Sequence, residues 1–343
     1  MSNDAVRVAD SEPHPTARIL VSIATAERTA FFPTAALNAL AARASAFDTG
    51  EPAAITSSAA LAQTEIAVVA WGFPRLDADL LSRMPRLRLV VNAASSVRGL
   101  VSDAFWDAGI PISQAGAAMS PAVAEMSLTL TLALLRRTHR MDHALRTGRP
   151  WDQARAIDRA REISGSRIGV IGASRTGREF IRMCRALGAQ VRVYDPYLPA
   201  GDPLTAFATD LADLLATSDI VAVHAPATAE TSGMLGREQL ASMRDGAALV
   251  NTARSSIIDM DALYGEVASG RLDAALDVFD TEPLPLDDRW RELPNALLTA
   301  HVSGATAESR ARAGRIVIDE IDRFLAGAQL QHRITREALE RMG

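Results

Sequence analysis

The chain of 343 residues holds a single cysteine, Cys184, so no disulfide framework can form within it. That thiol falls inside a helical pattern, where a small buried apolar side chain is the ordinary reading, and the scarcity suits a reducing cytosol. Positive charge is not in excess. The formal net charge is −5 and the pI is near 5.7, which leaves no broad basic field for nucleic acid or an anionic membrane. Any anionic ligand must then be gripped by individual arginines. The longest apolar region, Ala122 to Leu135, is interrupted by Glu125, falls short of bilayer length and reads as a buried helix. The N-terminal MSNDAVRVADSEPHPTA has neither the apolar core nor the basic lead of a signal peptide, and reads as a disordered tail. A Gly-x-Ser-x-Gly elbow and a P-loop lysine are missing, which argues against a hydrolase or kinase. A metal site is not suggested: His139 and His143 lie four apart on one helical stretch but lack a third ligand.

What is present is organised around Arg167 to Asp195, reading RIGVIGASRTGREFIRMCRALGAQVRVYD. An apolar strand runs into a turn with Gly172 and Gly177, a helical pattern follows up to Gly188, and a second strand from Val191 to Tyr194 delivers Asp195. Gly172 permits the tight turn, Gly177 lets the helix pack close to the strand, and the unpaired N–H groups of the first helical turn point at an anion. This is the arrangement that cradles a pyrophosphate. A carboxylate at Asp195 suits the ribose hydroxyls of an adenosine and repels a 2′-phosphate, so the expected cofactor is NAD rather than its phosphorylated form.

Length and 48% apolar content allow two domains, each with its own core. Short apolar strands are expected at Ala17 to Ile23, Glu65 to Trp71 and Leu87 to Ala93, with helices at Thr34 to Ala46 and Asp77 to Met84 between them. A long helix from Ser120 to Thr147, N-capped by Ser120 with Pro121 in its first turn, would bridge the domains. Further strands are read at Asp219 to His224, Ala247 to Asn251, Ala274 to Val278 and Ala296 to Thr299, followed by a helix from Ala305 to Leu325 and a polar tail. Strands alternating with helices imply parallel pairing and ligands at the carboxyl ends of strands. The fold class is therefore α/β: two Rossmann-like, doubly wound parallel-sheet domains with a cleft between them. The expected division is residues 17–119 with 303–343 as the substrate domain and 120–302 as the NAD-binding domain. No internal repeat with identical motifs is visible, although the halves share a rhythm.

Three polar residues at strand ends form a candidate catalytic set: Arg254 in NTARSSIID, Glu282 in DVFDTEP and His301 in LLTAHVSGAT. Hydride transfer to a carbonyl carbon requires a proton donor for the oxygen, and histidine suits that role near neutral pH. A carboxylate beside it fixes the ring and stabilises the imidazolium, the part assigned to Glu282. An arginine fork holds an α-carboxylate with two parallel hydrogen bonds, which points to Arg254 and a 2-oxo acid. The plainer readings are a salt-bridged surface arginine, a solvated turn carboxylate and a buried structural histidine. His224, at the end of DIVAVH, reads as structural or cofactor-lining.

With the cradle, arginine, glutamate and histidine in this order, the chain resembles the D-isomer-specific 2-hydroxyacid dehydrogenases, a family of formate-, glycerate- and lactate-type enzymes. The likeness runs from about Arg18 to about Ala326 and includes HAPATAETSGML, GAALVNTARSSIID, LDVFDTEPLP and LPNALLTAHVSGAT. It implies that Arg254, Glu282 and His301 are the catalytic triad. It assigns cofactor contacts to Gly172, Ser174, Arg175, Thr176, Gly177, Asp195, His224, Pro226, Thr231, Thr252, Ala253, His301 and Gly304, and places Asp277 at the nicotinamide carboxamide. Ala94, Ser95 and Ser96, with Arg254, would contact the substrate carboxylate. The resemblance also implies homodimers formed through the nucleotide domain. Departures are specific: Ser174 stands for the middle glycine, Ser255 for the glycine after the arginine, and Ala300 for the proline before the histidine. NAASSVRG lacks the usual glycines of the substrate loop, which makes Trp71, Ser95, Ser96 and Arg98 candidates for a modified pocket.

The expected activity is NAD(H)-dependent interconversion of a D-2-hydroxy acid and its 2-oxo acid in the cytoplasm, by a homodimer without nucleic-acid or membrane partners. The alternative is a dinucleotide-sensing regulatory protein of corepressor type, since the same fold serves both.

Overall fold

The computed structural model describes residues 16–155 and 160–342, so the N-terminal tail read from the sequence lies, up to residue 15, outside the described residues. The chain divides into two compact units, Met1–Gly116 with Ala311–Arg336, and Ala117–Arg310 with Glu337–Gly343. Among the described residues each unit carries one six-stranded sheet.

In the first unit β1 (Ala17–Ser22), β2 (Ala44–Gly50), β3 (Ile66–Val69), β4 (Leu89–Asn92) and β5 (Ile112–Gln114) run parallel, joined at the edge by the antiparallel β12 (Arg333–Ile334). The order across the sheet is β12-β5-β4-β3-β1-β2. The central strands IAVV and LVVN are buried along their whole length, as strands covered on both faces must be. The helix expected over Thr34 to Ala46 ends instead at Ala41, and Ala44–Gly50 forms the edge strand β2. Its half-exposed side chains carry no helical apolar face, and pairing with β1 decides its conformation. The C-terminal tail is likewise structured: it supplies β12 and a short helix, Arg336–Glu340. Buried Glu320 on the helix Ala307–Leu325 fixes that return, accepting from the backbone N–H groups of Gln331 and His332 at 2.9 and 3.0 Å.

The second unit holds β6 (Arg167–Ile171), β7 (Gln190–Tyr194), β8 (Ile220–Val223), β9 (Ala248–Asn251), β10 (Asp273–Leu276) and β11 (Ala296–Leu298), all parallel in the order β11-β10-β9-β8-β6-β7. The break in order beside β6 puts the crevice for a ligand at the carboxyl ends of β6 and β8. One apolar layer packs Leu249, Leu263 and Leu276 with Trp290, and the other packs Val170, Phe180 and Val250 with Leu130 and Leu134.

The single helix expected from Ser120 to Thr147 is two, Ser120–Arg136 and Thr138–Arg146. Arg137 breaks it with a left-handed backbone, φ 55°, and both Arg137 and Arg140 reach the carboxylate of buried Asp273 at the start of β10. Ser120 is the first helical residue and Met119 the N-cap, so the capping role read for Ser120 does not hold. Nor does the length argument against a membrane span: Gly116–Arg136 meets the length and composition of one. What occupies its apolar face is protein, because Ala124, Leu130, Leu134 and Leu135 lie in the core with Ile168 and Val170.

Below the sheet, Asp219 accepts from the backbone N–H of Arg167 at 2.9 Å and from the side chains of Arg161, Arg167 and Arg244. Burial raises its pKa, but the hydrogen bonds and charge of these arginines outweigh that and hold the carboxyl down at about 2. A depressed carboxyl stabilises the fold above its unfolded value and ceases to do so as pH falls through the folded value. Asp219→Asn is thus expected to lower the melting temperature at neutral pH and to flatten its fall between about pH 4 and about pH 2. Melting curves across that range test it; an unchanged acid limb would remove Asp219 from the account.

Candidate active site

The turn after β6 is shaped by two missing side chains. Gly172 has φ +91°, and a Cβ there would lie 2.5 Å from the backbone N of Ala225; a Cβ on Gly177 would lie 2.1 Å from the carbonyl O of Gly172. The helix Arg175–Ala186 therefore begins directly against the turn. Its first N–H groups have no partner inside the helix, which is the anion-binding property of such an end. Ser174, where the pattern loses its middle glycine, is the N-cap with φ −76° and ψ −160°, a conformation open to any residue. Its hydroxyl makes no capping bond, and Ser174 and Arg175 are both exposed. The absent glycine thus costs no backbone strain. Asp195 holds the rim: its Oδ2 accepts from Ala173 N at 2.8 Å and its Oδ1 from Tyr197 N at 2.9 Å, so each oxygen keeps a lone pair for a hydroxyl.

Behind the turn lies His224, just past β8, with its ring 4.9 Å from that of Phe180. Burial pushes its pKa down to about 4, so it is neutral at physiological pH, and its Nε2 has no hydrogen-bond partner among the described residues. Pro226 and Thr231 belong to a self-contained turn in which the Thr231 hydroxyl donates to the Pro226 carbonyl at 2.6 Å. Thr252 shares a 2.7 Å hydrogen bond with Ser127, and the Gly304 carbonyl accepts from Ser309 at 2.6 Å. Thr176 and Ala253 are half-buried.

The three candidate catalytic side chains belong to the loops after β9, β10 and β11 of this one unit. His301 Nδ1 lies 2.6 Å from Glu282 Oε2, and the other oxygen of Glu282 accepts from Phe279 N at 2.9 Å. The pair is tied at both ends, while His301 keeps nearly half of its side chain exposed. His301 is held at φ +52°, a left-handed conformation uncommon for a non-glycine residue. The fully buried carboxylate of Asp277 stabilises that loop from beneath: Thr299 Oγ1 and Val302 N (3.0 Å) donate to one oxygen and Ser303 N (2.9 Å) to the other. The loop is thus held although Ala300 stands where the family's proline would be. Arg254 is half-buried and donates to the Ala253 carbonyl at 2.6 Å. Burial lowers its pKa and the charge of Glu282 opposes this; guanidinium remains cationic throughout.

Two residues that pattern reading passed over govern the loops. Asn251, with no exposed surface, accepts from Ala253 N at 3.0 Å and donates to the Arg254 carbonyl at 2.9 Å. In the first unit Asn92 accepts from Ala94 N at 3.1 Å and donates to the Ser96 carbonyl at 2.8 Å. Ala94 is buried, Ser95 half-buried and Ser96 exposed; the N–H groups of Ser95 and Ser96 have no acceptor among the described residues. The available signal was an asparagine closing each apolar run, in LVVN and ALVN. Trp71, after β3, is half-exposed with its ring centroid 5.7 Å from that of buried Phe31.

A doubly wound sheet, a turn that only glycine fits, a helix end open to an anion and a carboxylate closing the next strand together suit a dinucleotide and define a nucleotide-binding α/β protein. The family model for the NAD binding domain of D-isomer specific 2-hydroxyacid dehydrogenases matches residues 128–303, and the chain belongs to that family. It is 34% identical over 251 residues to the hydroxypyruvate reductase of Thermotoga maritima, covering 72% of this chain and 80% of that one. It is 30% identical over 277 residues to the D-3-phosphoglycerate dehydrogenase of Archaeoglobus fulgidus, covering 80% of this chain and 52% of the relative, so it spans about half the length of that protein. The apo structure of D-mandelate dehydrogenase from Rhodotorula graminis superposes with a TM-score of 0.82 at 25% identity, over 94% of this chain and 98% of the other. The cofactor of the second unit is NAD.

Proposed function

We propose that the protein is an NAD(H)-dependent oxidoreductase that interconverts a D-2-hydroxy acid and the corresponding 2-oxo acid. The observation that carries this reading is the His301–Glu282 pair at 2.6 Å, tied into the unit that also bears Arg254 and the nucleotide turn. When bound, NADH would supply the hydride for C2 of the oxo acid, and NAD+ would take it up in the reverse direction. In the reductive direction His301 gives the proton on Nε2 to the carbonyl oxygen, while Glu282 on Nδ1 stabilises the imidazolium and fixes which ring nitrogen faces the substrate. Arg254 grips the α-carboxylate and polarises the reacting carbonyl. In the first unit, Ala94, Ser95 and Ser96 carry backbone N–H groups of the kind that suits a carboxylate. Asp277, with no exposed surface, acts by keeping the His301 loop in shape and does not itself face the cofactor carboxamide.

Gly172, Gly177 and the first helical turn, with Ser174, Arg175 and Thr176, hold the pyrophosphate, and Asp195 holds the ribose. Pro226, Thr231, Thr252, Ala253 and Gly304 line the rest of the cofactor site, with neutral His224 behind it. A homodimer in the cytoplasm completes the reading, and exposed Trp151 and Leu145 on the second unit supply apolar surface for such an interface. The relatives named for 3-phosphoglycerate, hydroxypyruvate and mandelate differ at C3, so the side-chain group of the acid is where this protein must choose.

The test is NADH oxidation with a panel running from glyoxylate and hydroxypyruvate to phenylpyruvate and benzoylformate. Silence across the panel with NADH still bound would sink the enzyme reading and favour a dinucleotide sensor. Asp195→Ala should raise kcat/KM for NADPH relative to NADH by about 10- to 100-fold, a change of about 1.4 kcal/mol per factor of ten, as the repulsion of a 2′-phosphate and the ribose bonds vanish together. An unchanged ratio would take Asp195 out of cofactor choice.

A further inference from the structure

We infer that Asn251 is a positioning residue for recognition of the substrate carboxylate, acting through Arg254, and that Asn92 is the positioning residue of its own unit for a carboxylate at the N–H groups of Ser95 and Ser96. The inference rests on the function proposed above and adds to it the device that sets the carboxylate-binding groups.

Each asparagine is the last residue of its strand, β4 or β9. Each strand is third from the same edge of its sheet, counting from β12 in one unit and from β11 in the other. The backbone around them repeats as well. Ala115, following β5, donates its N–H to the Asn92 carbonyl at 2.9 Å, and Asp277, following β10, donates to the Asn251 carbonyl at 3.0 Å. In both loops the side-chain oxygen takes the N–H two residues on, and the side-chain nitrogen gives a proton to a carbonyl further along. The two units thus carry one device at one topological position, in loops that share the spacing Asn-x-Ala-x-Ser from Asn92 and from Asn251.

The second bond is what makes the device functional. In the β9 loop it ends three residues on, at the carbonyl of Arg254 itself, so the amide fixes the backbone from which the guanidinium is presented. In the β4 loop it ends four residues on, at Ser96, and the extra residue leaves the N–H groups of Ser95 and Ser96 inside a closed turn without an internal acceptor. Two adjacent, preorganised N–H groups match the two oxygens of a carboxylate. Asparagine is required because it joins an acceptor and a donor at one short reach. Aspartate has the same shape but sets an oxygen against the carbonyl it should bond.

The experiment measures kcat and KM for the best 2-oxo acid, NADH affinity, and the affinity of the NADH complex for oxamate, a non-reacting carboxylate probe. Asn251→Asp should lower kcat/KM by about 10- to 100-fold, the scale of a lost charge-assisted contact, and weaken oxamate more than NADH. In an Arg254→Lys background the same change should cost less than about threefold, since a residue that acts only through Arg254 has little left to lose. Asn92→Asp should raise KM and weaken oxamate while kcat is largely kept, and Asn92→Ser should lie between it and the wild type. Additive losses in the Arg254→Lys background would overturn the assignment of Asn251. Parallel losses of NADH and oxamate binding would reduce either asparagine to a general structural role. A wild-type protein that binds oxamate in its NADH complex yet turns over no 2-oxo acid removes the proposed reaction and leaves the carboxylate device standing; absence of both removes both.

Discussion

His301→Ala is expected to reduce kcat by about 10²- to 10⁴-fold, the range that a positioned general acid contributes, while NADH binding changes by less than about threefold. The separation follows from the geometry. His301 is nearly half exposed, engages Glu282 through Nδ1 at 2.6 Å and leaves its second nitrogen for the substrate, whereas the turn at Gly172 and Asp195 is built by other strands. The loop backbone should survive the substitution because Asp277 holds Val302 and Ser303 by their N–H groups, which alanine at 301 does not alter. Glu282→Gln should have a smaller effect: the amide can still meet the ring but no longer offsets a charge on it. Single-turnover oxidation of bound NADH on mixing with the oxo acid is the clearest readout, as it isolates the chemical step from product release. Near-normal single-turnover rates in His301→Ala would remove histidine from proton transfer.

Arg254→Ala should impair both parameters, with kcat/KM lower by about 10²- to 10⁴-fold. The loss corresponds to about 3–5 kcal/mol, near the sum of two hydrogen bonds to a charged group. Burial magnifies the effect, since a partly desolvated guanidinium gives up less to water when it binds. Arg254→Lys should recover only a fraction, because a point charge cannot reproduce a planar fork. Added guanidinium ion is expected to restore part of the turnover of Arg254→Ala and none in His301→Ala. Equal rescue of both variants would show that the effect is not a matter of filling the vacated arginine position.

Much of this was legible in the residues alone. The strands of both sheets read correctly to within a residue or two wherever the run was apolar throughout, as in IAVV or ALVN, because a parallel strand buried on both faces admits little else. The nucleotide turn, Asp195 and the order of Arg254, Glu282 and His301 were equally visible, since glycine spacing and strand-end polar residues are local features. Edge strands were not. Ala44–Gly50 is half exposed and mixed in composition, and the two residues of β12 form a strand only through their partner β5. The single helix read from Ser120 to Thr147 failed at Arg137 for a similar reason. Nothing adjacent in sequence marks the bend; it coincides with an ion pair to Asp273, far along the chain.

The sequence by itself determined the class of fold and the family, and named the candidate side chains, because strand periodicity, glycine turns and functional-group chemistry are carried by neighbouring residues. Only the tertiary structure decided how those side chains are held. His301 meets Glu282 across nineteen positions of chain. Asp277 clasps the loop that keeps His301 in a left-handed turn, and Asn92 and Asn251 repeat one hydrogen-bonding device in two sheets. The physical reason is that a buried amide or carboxylate is satisfied by whichever backbone groups the packed strands bring to it, and that choice is made by topology rather than by spacing along the chain.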